Sequence, residues 1–414
     1  NNSLGISDTK ELFTLEEAMA AMFAGNAVLF VDGYDRAIKI GSKGYPGSGV
    51  QKTDSEKGLR GSKEAFSESV KMNTALIRKR IRNAKMKAEE KQVGRYSATT
   101  TALLYLDGVV YLPICEEMRK RLDAFEVDGI EDGGMIEYLT RKKKEGRFPV
   151  YQTTERPDRA AQAILEGRVV LLTDNSPEAL IFPATLNSLF QTADDYYRNE
   201  RIVTFLRLIR YVAAFLALAL PGLYVAAATF HPQLLPGNLI RSMAEARSGV
   251  PFPTAAEVLL MELSFELLRE AGLRMPGPAG NTIGIVGGLI VGQAAVSANL
   301  VSPITVTVAA LTALGSFSIP NEELSEVFRL WKYGILLLGS CFGILGVMLG
   351  CFLLLMLMAE QESYGIPWLY PYVGGNLNER ADEKDSMFLA AARKRKRRPI
   401  FAKWGNRIRF RRKS

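Results

Sequence analysis

The side chains that could do chemistry in this 414-residue chain are mostly carboxylates and small hydroxyls set among apolar residues in its second half. Between Ala255 and Ala271, Glu257, Glu262, Glu266 and Glu270 recur at helical spacing. A helix this acidic cannot face lipid, so it is expected at the membrane interface or against a protein-lined cavity. Further on, Thr305, Ala309, Thr312 and Ser316 fall at i, i+4, i+7 and i+11, on one helix face. Small hydroxyls there can meet water without a charge, as a pore wall requires. They can equally bond the carbonyls one turn back in a packed bundle. If that face lines a pore, Glu262 and Glu266 become acidic groups at its entrance, where carboxylates concentrate cations. The alternative for both is a structural ion pair with Arg269 or Arg274.

Other chemistry finds little support. The only histidine, His231, precedes Pro232, and nothing near it has metal-ligand spacing. There is no GxxxxGK[ST] loop, CxxC pair or GxSxG elbow. The three cysteines, Cys115, Cys341 and Cys351, suggest reduced, packed thiols rather than a disulfide framework. The expectation is a protein that is not an enzyme and takes no cofactor or metal.

The elements that position the acidic and hydroxyl residues follow from hydropathy. Residues 1–201 read as an ordinary charged globular sequence, apolar runs begin at Leu208, and the chain turns basic from Arg393. Four spans are expected: Leu208–Phe230 with a Pro221–Gly222 break, Ile283–Val301, Pro303–Ile319 and Gly334–Met358. In the second, Gly284, Gly288 and Gly292 recur every four residues and form a smooth packing stripe, within one subunit or between subunits. Arg201, Arg207 and Arg210 flank the first span on its N-terminal side, and Arg393–Arg398 with Lys403, Arg407, Arg409, Arg411, Arg412 and Lys413 follow the last. The positive-inside rule puts both ends in the cytoplasm and requires an even number of spans. One subunit has little polar lining of its own, so a conducting path would form at the axis of a homo-oligomeric ring. The basic tail, Arg393–Lys413, is expected to bind anionic lipid headgroups, with nucleic acid as the alternative polyanion. The sequence begins at Asn1 without a charged-then-apolar leader, so it is read as a fragment or processed chain with no secretory signal.

The first half carries an internal repeat at an offset of 142 positions, pairing Gly25 with Gly167, Val28 with Val170, Leu29 with Leu171, Asp32 with Asp174 and Ala37 with Ala179. Each copy reads as a helix ending at a glycine, an apolar strand, a polar turn and a second short strand. A duplicated subdomain explains this; convergent α/β patterning is the alternative. Between the copies a helix is expected over Ser62–Arg82, a strand over Thr99–Leu106 and a helix over Ile114–Phe125. The fold class is therefore an α/β soluble head with two related subdomains, followed by an α-helical membrane domain of about four spans. The boundaries are 1–95 and 96–200 for the subdomains, 201–372 for the membrane domain and 373–414 for the tail.

Several blocks are less anonymous. PGLYVAAATFHPQLLPGNLIRSMAEARSGVPFP (Pro221 to Pro253), LLMELSFELLREAGLRMP (Leu259 to Pro276), GGLIVGQAAVSANLVSP (Gly287 to Pro303), SFSIPN (Ser316 to Asn321) and YGIPWLYP (Tyr364 to Pro371) resemble the A subunits of GerA-type spore germinant receptors. So do LFVDGYDRAIKIG, LRGSKEAFSESVKMNTALIRKRIRN and TERPDRAAQAILEGRVVLLTD upstream, and the resemblance runs from about Gly25 to Pro371. Members usually carry more sequence before this start, and the long basic tail is less familiar. The resemblance implies a multi-pass protein of the spore inner membrane with its head on the core side. It also implies association with B and C receptor subunits, and a pentameric ring that passes monovalent cations when nutrients trigger germination. Two alternatives are a non-conducting scaffold subunit and the related A-subunit paralogue associated with dipicolinic acid export.

Overall fold

The computed structural model describes residues 9–23, 27–40, 53, 56, 58, 61–142, 145–274, 278–373, 384–391, 393–403, 405, 407 and 408. The chain divides into two compact units, residues 1–50 and 51–414.

In the first unit, β1 (Thr9–Leu12), α1 (Leu15–Phe23), β2 (Ala27–Phe30) and β3 (Ala37–Ile40) form an antiparallel sheet of order β1-β3-β2. Leu12, Ala18, Ala21 and Ala37 are its buried core, with Val28 packed against them. Gly25, expected to cap the helix, lies outside the described residues.

The second unit begins with α2 (Val70–Arg80) and continues through β4 (Met86–Val93), β5 (Thr99–Leu106), α3 (Leu112–Asp123), α4 (Gly133–Thr140), β6 (Gln152–Thr154), α5 (Pro157–Glu166), β7 (Val169–Thr173), β8 (Ala179–Phe182) and α6 (Leu186–Phe190). Its sheet has the order β4-β5-β7-β8-β6, with every pair antiparallel. Side chains alternate across the pleat. Leu103, Tyr105, Val169, Leu171, Leu180 and Phe182 enter one core with α3, and Ala102, Leu104, Val170, Leu172 and Ile181 enter another with α2 and α5.

The repeat is visible in the strand registers. Leu12 opposes Ala37 as Thr154 opposes Ala179, and Ala27 opposes Ile40 as Val169 opposes Phe182. Gly167 takes the left-handed conformation (φ 93°) expected of a helix C-cap. The helix expected over Ser62–Arg82 is shorter, starting only at Val70. Ahead of it the chain is pinned in non-helical form: the Phe66 amide donates to Glu155 O (2.8 Å), and the Asn73 side chain bonds Ser67. The Val70 amide then donates to Asp174 Oδ1 (2.9 Å), which caps the helix from a distant turn. β4 pairs with β5 across the boundary drawn at residue 95, so β4 belongs to the larger sheet.

The helical part comprises α7 (Glu200–Thr229), α8 (Gly237–Arg247), α9 (Thr254–Arg274), α10 (Pro278–Ser297), α11 (Pro303–Phe317) and α12 (Glu322–Glu360), followed by the small strands β9 (Glu362–Ser363) and β10 (Ile366–Pro367). Among the described residues α7 and α12 are long and apolar enough to cross a membrane, and α11 is a shorter apolar helix. α7 runs through Pro221–Gly222 without the expected break. Gly222 instead makes room for α12: a Cβ there would sit 3.1 Å from Ile335 O and 3.3 Å from the Val347 side chain.

The expected span Gly334–Met358 is not one straight crossing. Gly343 has non-helical angles (φ 62°, ψ −143°), and beyond it the chain doubles back. Residues 335 and 350 would lie roughly 22 Å apart along a straight helix, yet a Cβ on Gly350 would be 3.5 Å from Ile335 Cα. One on Gly346 would collide with Leu338 O, and one on Gly339 would meet Val347 at 2.9 Å. Glycines at 339, 343, 346 and 350 thus let two limbs of α12 pack antiparallel, with the turn beside Phe230 and His231 at the end of α7.

The second limb ends against the α/β region. Glu360 pairs with Arg147 (2.7 Å), Gln361 bonds the Phe148 backbone, and Trp368 stacks on Phe148 (4.9 Å) while donating to Pro149 O. The tail is not a free solvated arm. Phe401 enters one head core and Ala402 the other, and Ala402 passes so close to Gly167 that a Cβ there would lie 2.7 Å from its Cα.

Candidate functional site

α9 presents Glu257, Glu262 and Glu266 to neighbouring helices. Glu257 is fully buried; its Oε1 accepts from Arg247 Nε (3.1 Å). Its Oε2 accepts from the Ser302 amide (3.0 Å) and Thr305 Oγ1 (3.1 Å). That carboxylate sits at the N-terminus of α11, where it satisfies an unpaired amide and complements the helix dipole. Ser302 caps the same helix by accepting from the Thr305 amide.

Five residues along α9, Glu262 is also buried and accepts from Lys332 Nζ (2.6 Å) on α12. The same ammonium reaches Glu266 Oε1 (3.5 Å), and Arg329 NH1 donates to Glu266 Oε2 (3.0 Å). At the end of the series Arg269 meets Glu322 (3.4 Å) and lies over the Phe317 ring. The result is a ladder of charge along the α9–α12 seam, with a terminal rung on α8 and α11. Among apolar helices each ion survives because a partner of opposite sign desolvates with it.

The partners differ from those expected. Glu262 and Glu266 pair with Lys332 and Arg329, while Arg274 bonds Glu270 in its own helix (2.7 Å). The sequence signal that could have found them is the Arg329–Lys332 pair, one helical turn apart just before the apolar run.

The hydroxyl face of α11 is turned into the chain. Thr305, Ala309, Thr312 and Ser316 are all buried, and the exposed residues of α11 are Pro303, Thr307, Leu311, Leu314 and Phe317. Thr312 donates to Val308 O (2.9 Å) and Ser316 to Ala313 O (2.7 Å), the back-bonding that packed helices use for such groups. A Cβ on Gly315 would collide with Ala213 O (2.6 Å), so α7 covers this face. On α10, Gly288 faces Phe265 of α9 and Gly292 faces Val306 of α11, both within the chain. The side of Gly284 lies outside the described residues.

A second charged cluster joins the head, α7 and the tail. Asp195 accepts from Arg207 Nε (3.0 Å) and from both terminal nitrogens of Arg210 (2.9 Å each). Arg207 NH1 continues to Asp385 Oδ1 (3.0 Å) and Ser386 O (2.6 Å) in the tail. Burial works against the Asp195 carboxylate, yet Arg210 and Arg207 hold its pKa below the usual range. Nearby, a cavity of about 450 Å³ is lined by groups of both signs, including Arg156, Arg159, Arg198, Glu178, Asp194 and Glu322.

Of the cysteines, Cys115 is buried and Cys341 exposed, and all three are free. Of the tail's basic residues, Arg393, Lys394, Lys396, Arg397 and Lys403 are exposed, and Arg409, Arg411, Arg412 and Lys413 lie outside the described residues.

A family model described as Bacillus/Clostridium GerA spore germination protein matches residues 1–401. A membrane protein of Bacillus subtilis (strain 168), YfkQ, is 37% identical over 390 residues, covering 94% of this chain and 75% of its own. Spore germination protein KA of the same organism is 35% identical over 369 residues, covering 89% of this chain and 68% of its own. Spore germination protein A1 is 35% identical over 364 residues, covering 88% and 76%. Among solved structures, the N-terminal domain of the A subunit of the Bacillus megaterium germinant receptor GerK3 matches at 27% identity, covering 43% of this chain and 64% of that one, with a TM-score of 0.24.

Proposed function

The chain belongs to the GerA spore germination protein family of Bacillus and Clostridium, and from that premise we propose that it is the A subunit of a nutrient-triggered germinant receptor, an oligomeric channel for monovalent cations in the spore inner membrane. The observation that carries the channel reading is the ladder Glu257, Glu262 and Glu266 with Arg247, Lys332 and Arg329, in which Glu257, Glu262 and Lys332 are buried and the other three half-buried. Ionisable residues held inside a membrane-helix bundle characteristically mark ion pathways. In this arrangement every carboxylate is matched and the hydroxyl face is packed, which suits a closed state. Opening would separate Lys332 from Glu262 and free carboxylates to attract cations, with Thr305, Thr312 and Ser316 as the nearest neutral lining.

Partnership with B and C subunits, a ring of like subunits and monovalent cations as the permeant species belong to the same proposal. Packing of the tail into both head cores supports head and tail lying on one side of the membrane. Deleting the gene should abolish the response of spores to one class of nutrient, and the chain should co-purify with B and C subunits. Spores that keep every nutrient response, or a chain that purifies without those subunits, would contradict the receptor role.

A further inference from the structure

We propose that the seam where the tail crosses the α/β head is a binding site for one phosphate group, held by Arg168 and Arg395. Arg168 lies just after α5 and is only 4% exposed. Its Nε donates to Pro183 O (2.9 Å) and NH1 to Gln152 Oε1 (2.9 Å), both neutral acceptors. Its NH2 has no hydrogen-bond partner among the described residues, and neither has Arg395 Nε, although both nitrogens are buried. The two side chains line one cavity of about 50 Å³, together with Arg397, Tyr196, Glu166 and Asp385.

The charges around this space favour an anion. Asp385 is engaged by Arg207 (3.0 Å), by Arg395 NH1 (3.1 Å) and by Tyr196, while Glu166 accepts from Gln162 (3.1 Å). Arg168 therefore carries a buried charge that no carboxylate bonds. Burial is the main cause that pushes its pKa down to about 9, opposed by the nearby Glu166 carboxylate and reinforced by Arg159. A guanidinium with free N–H groups recognises an oxyanion by charge-assisted hydrogen bonds. The space admits a group of a few non-hydrogen atoms and no nucleoside. Bound there, phosphate would bridge the head through Arg168 to the tail through Arg395. Arg395 in turn shares Asp385 with Arg207 of α7, so occupancy would fasten the tail to both.

The source is free phosphate or a lipid phosphate, and two arms separate them. The full-length chain is placed in phosphatidylcholine nanodiscs and titrated with inorganic phosphate at constant ionic strength; a second set contains phosphatidic acid and no free phosphate. Thermal unfolding and the rate at which trypsin removes the tail are read in each. We expect saturable stabilisation and slower tail cleavage in one arm. Arg395→Gln should shift the midpoint by about tenfold or more, as loss of a charge-assisted bond would, and Arg168→Gln should abolish the response. Because Arg168→Gln removes a buried cation and could fail to fold, Arg395→Gln alone suffices as the test. No saturable response in either arm, or one that Arg395→Gln leaves unchanged, overturns the proposal.

Discussion

Lys332 illustrates how far a single residue depends on partners remote in sequence. Its ammonium is buried with Glu262, 70 positions away, so neither residue betrays the pairing locally. Lys332→Met should destabilise the full chain by about 3–5 kcal/mol, because it strands a buried carboxylate. Adding Glu262→Leu should recover most of that loss. Equal unfolding midpoints for the single and double variants in detergent would show that the pair is not coupled. At the head, Asp158 pairs with Arg156 at 2.8 Å; Arg156 is buried and Asp158 half-buried. Burial raises the carboxyl's pKa and Arg156 lowers it, and the net shift is downward. A folded pKa below the unfolded value of about 3.9 means that the pair's stabilisation is complete above that value. It is lost as pH falls through the lower folded pKa. Asp158→Asn should therefore flatten that part of the acid-unfolding profile, measured by circular dichroism; an unaltered profile would remove Asp158 from the account. The acidic and hydroxyl residues were legible from spacing alone, but their direction was not. A small hydroxyl face satisfies a water-filled path and a packed bundle equally well, and only the position of α7 over Gly315 separates the two.

At the scale of elements, the legible parts were those with local causes. The strand Thr99–Leu106 and the helix–hairpin repeat follow from apolar period and a capping glycine, and β2 and β3 recur as β7 and β8 at the same offset. The start of α2 was not legible, since the Ser67–Asn73 bonds and the distant Asp174 cap decide it. The fold-back of α12 was missed because apolar length masked the glycines at 339, 343, 346 and 350. Gly343 holds a backbone conformation that side chains disfavour, and a Cβ would lie 2.8 Å from His231 Cε1. Gly343→Ala should cost about 1–3 kcal/mol from backbone strain alone, whereas Gly334→Ala, where a Cβ meets nothing within 4 Å, should be close to neutral. Thermal unfolding of the two variants checks the fold-back, and equal losses would argue for a straight helix.

Across the whole second unit, the chain leaves the α/β region through α7, returns through the second limb of α12, and closes over the head with its tail. The break in composition at residue 201 marked this division in advance. The docking of the tail was hidden, because a run of arginines reads as solvated surface while Phe401 and Ala402 within it supply the packing. Such docking requires epitopes on the head and on the tail to be accessible from the same side of sealed vesicles; labelling from opposite sides would break the arrangement. The central claim, that this family member passes monovalent cations through its helical part, is tested most directly by potassium flux. The purified full-length chain, with its B and C subunits, is reconstituted in sealed liposomes and triggered by its nutrient. Potassium flux that falls when Glu262 and Glu266 are both replaced by glutamine is the predicted result. An intact, nutrient-binding complex that passes no potassium, or passes it equally with both glutamates replaced, would contradict the account.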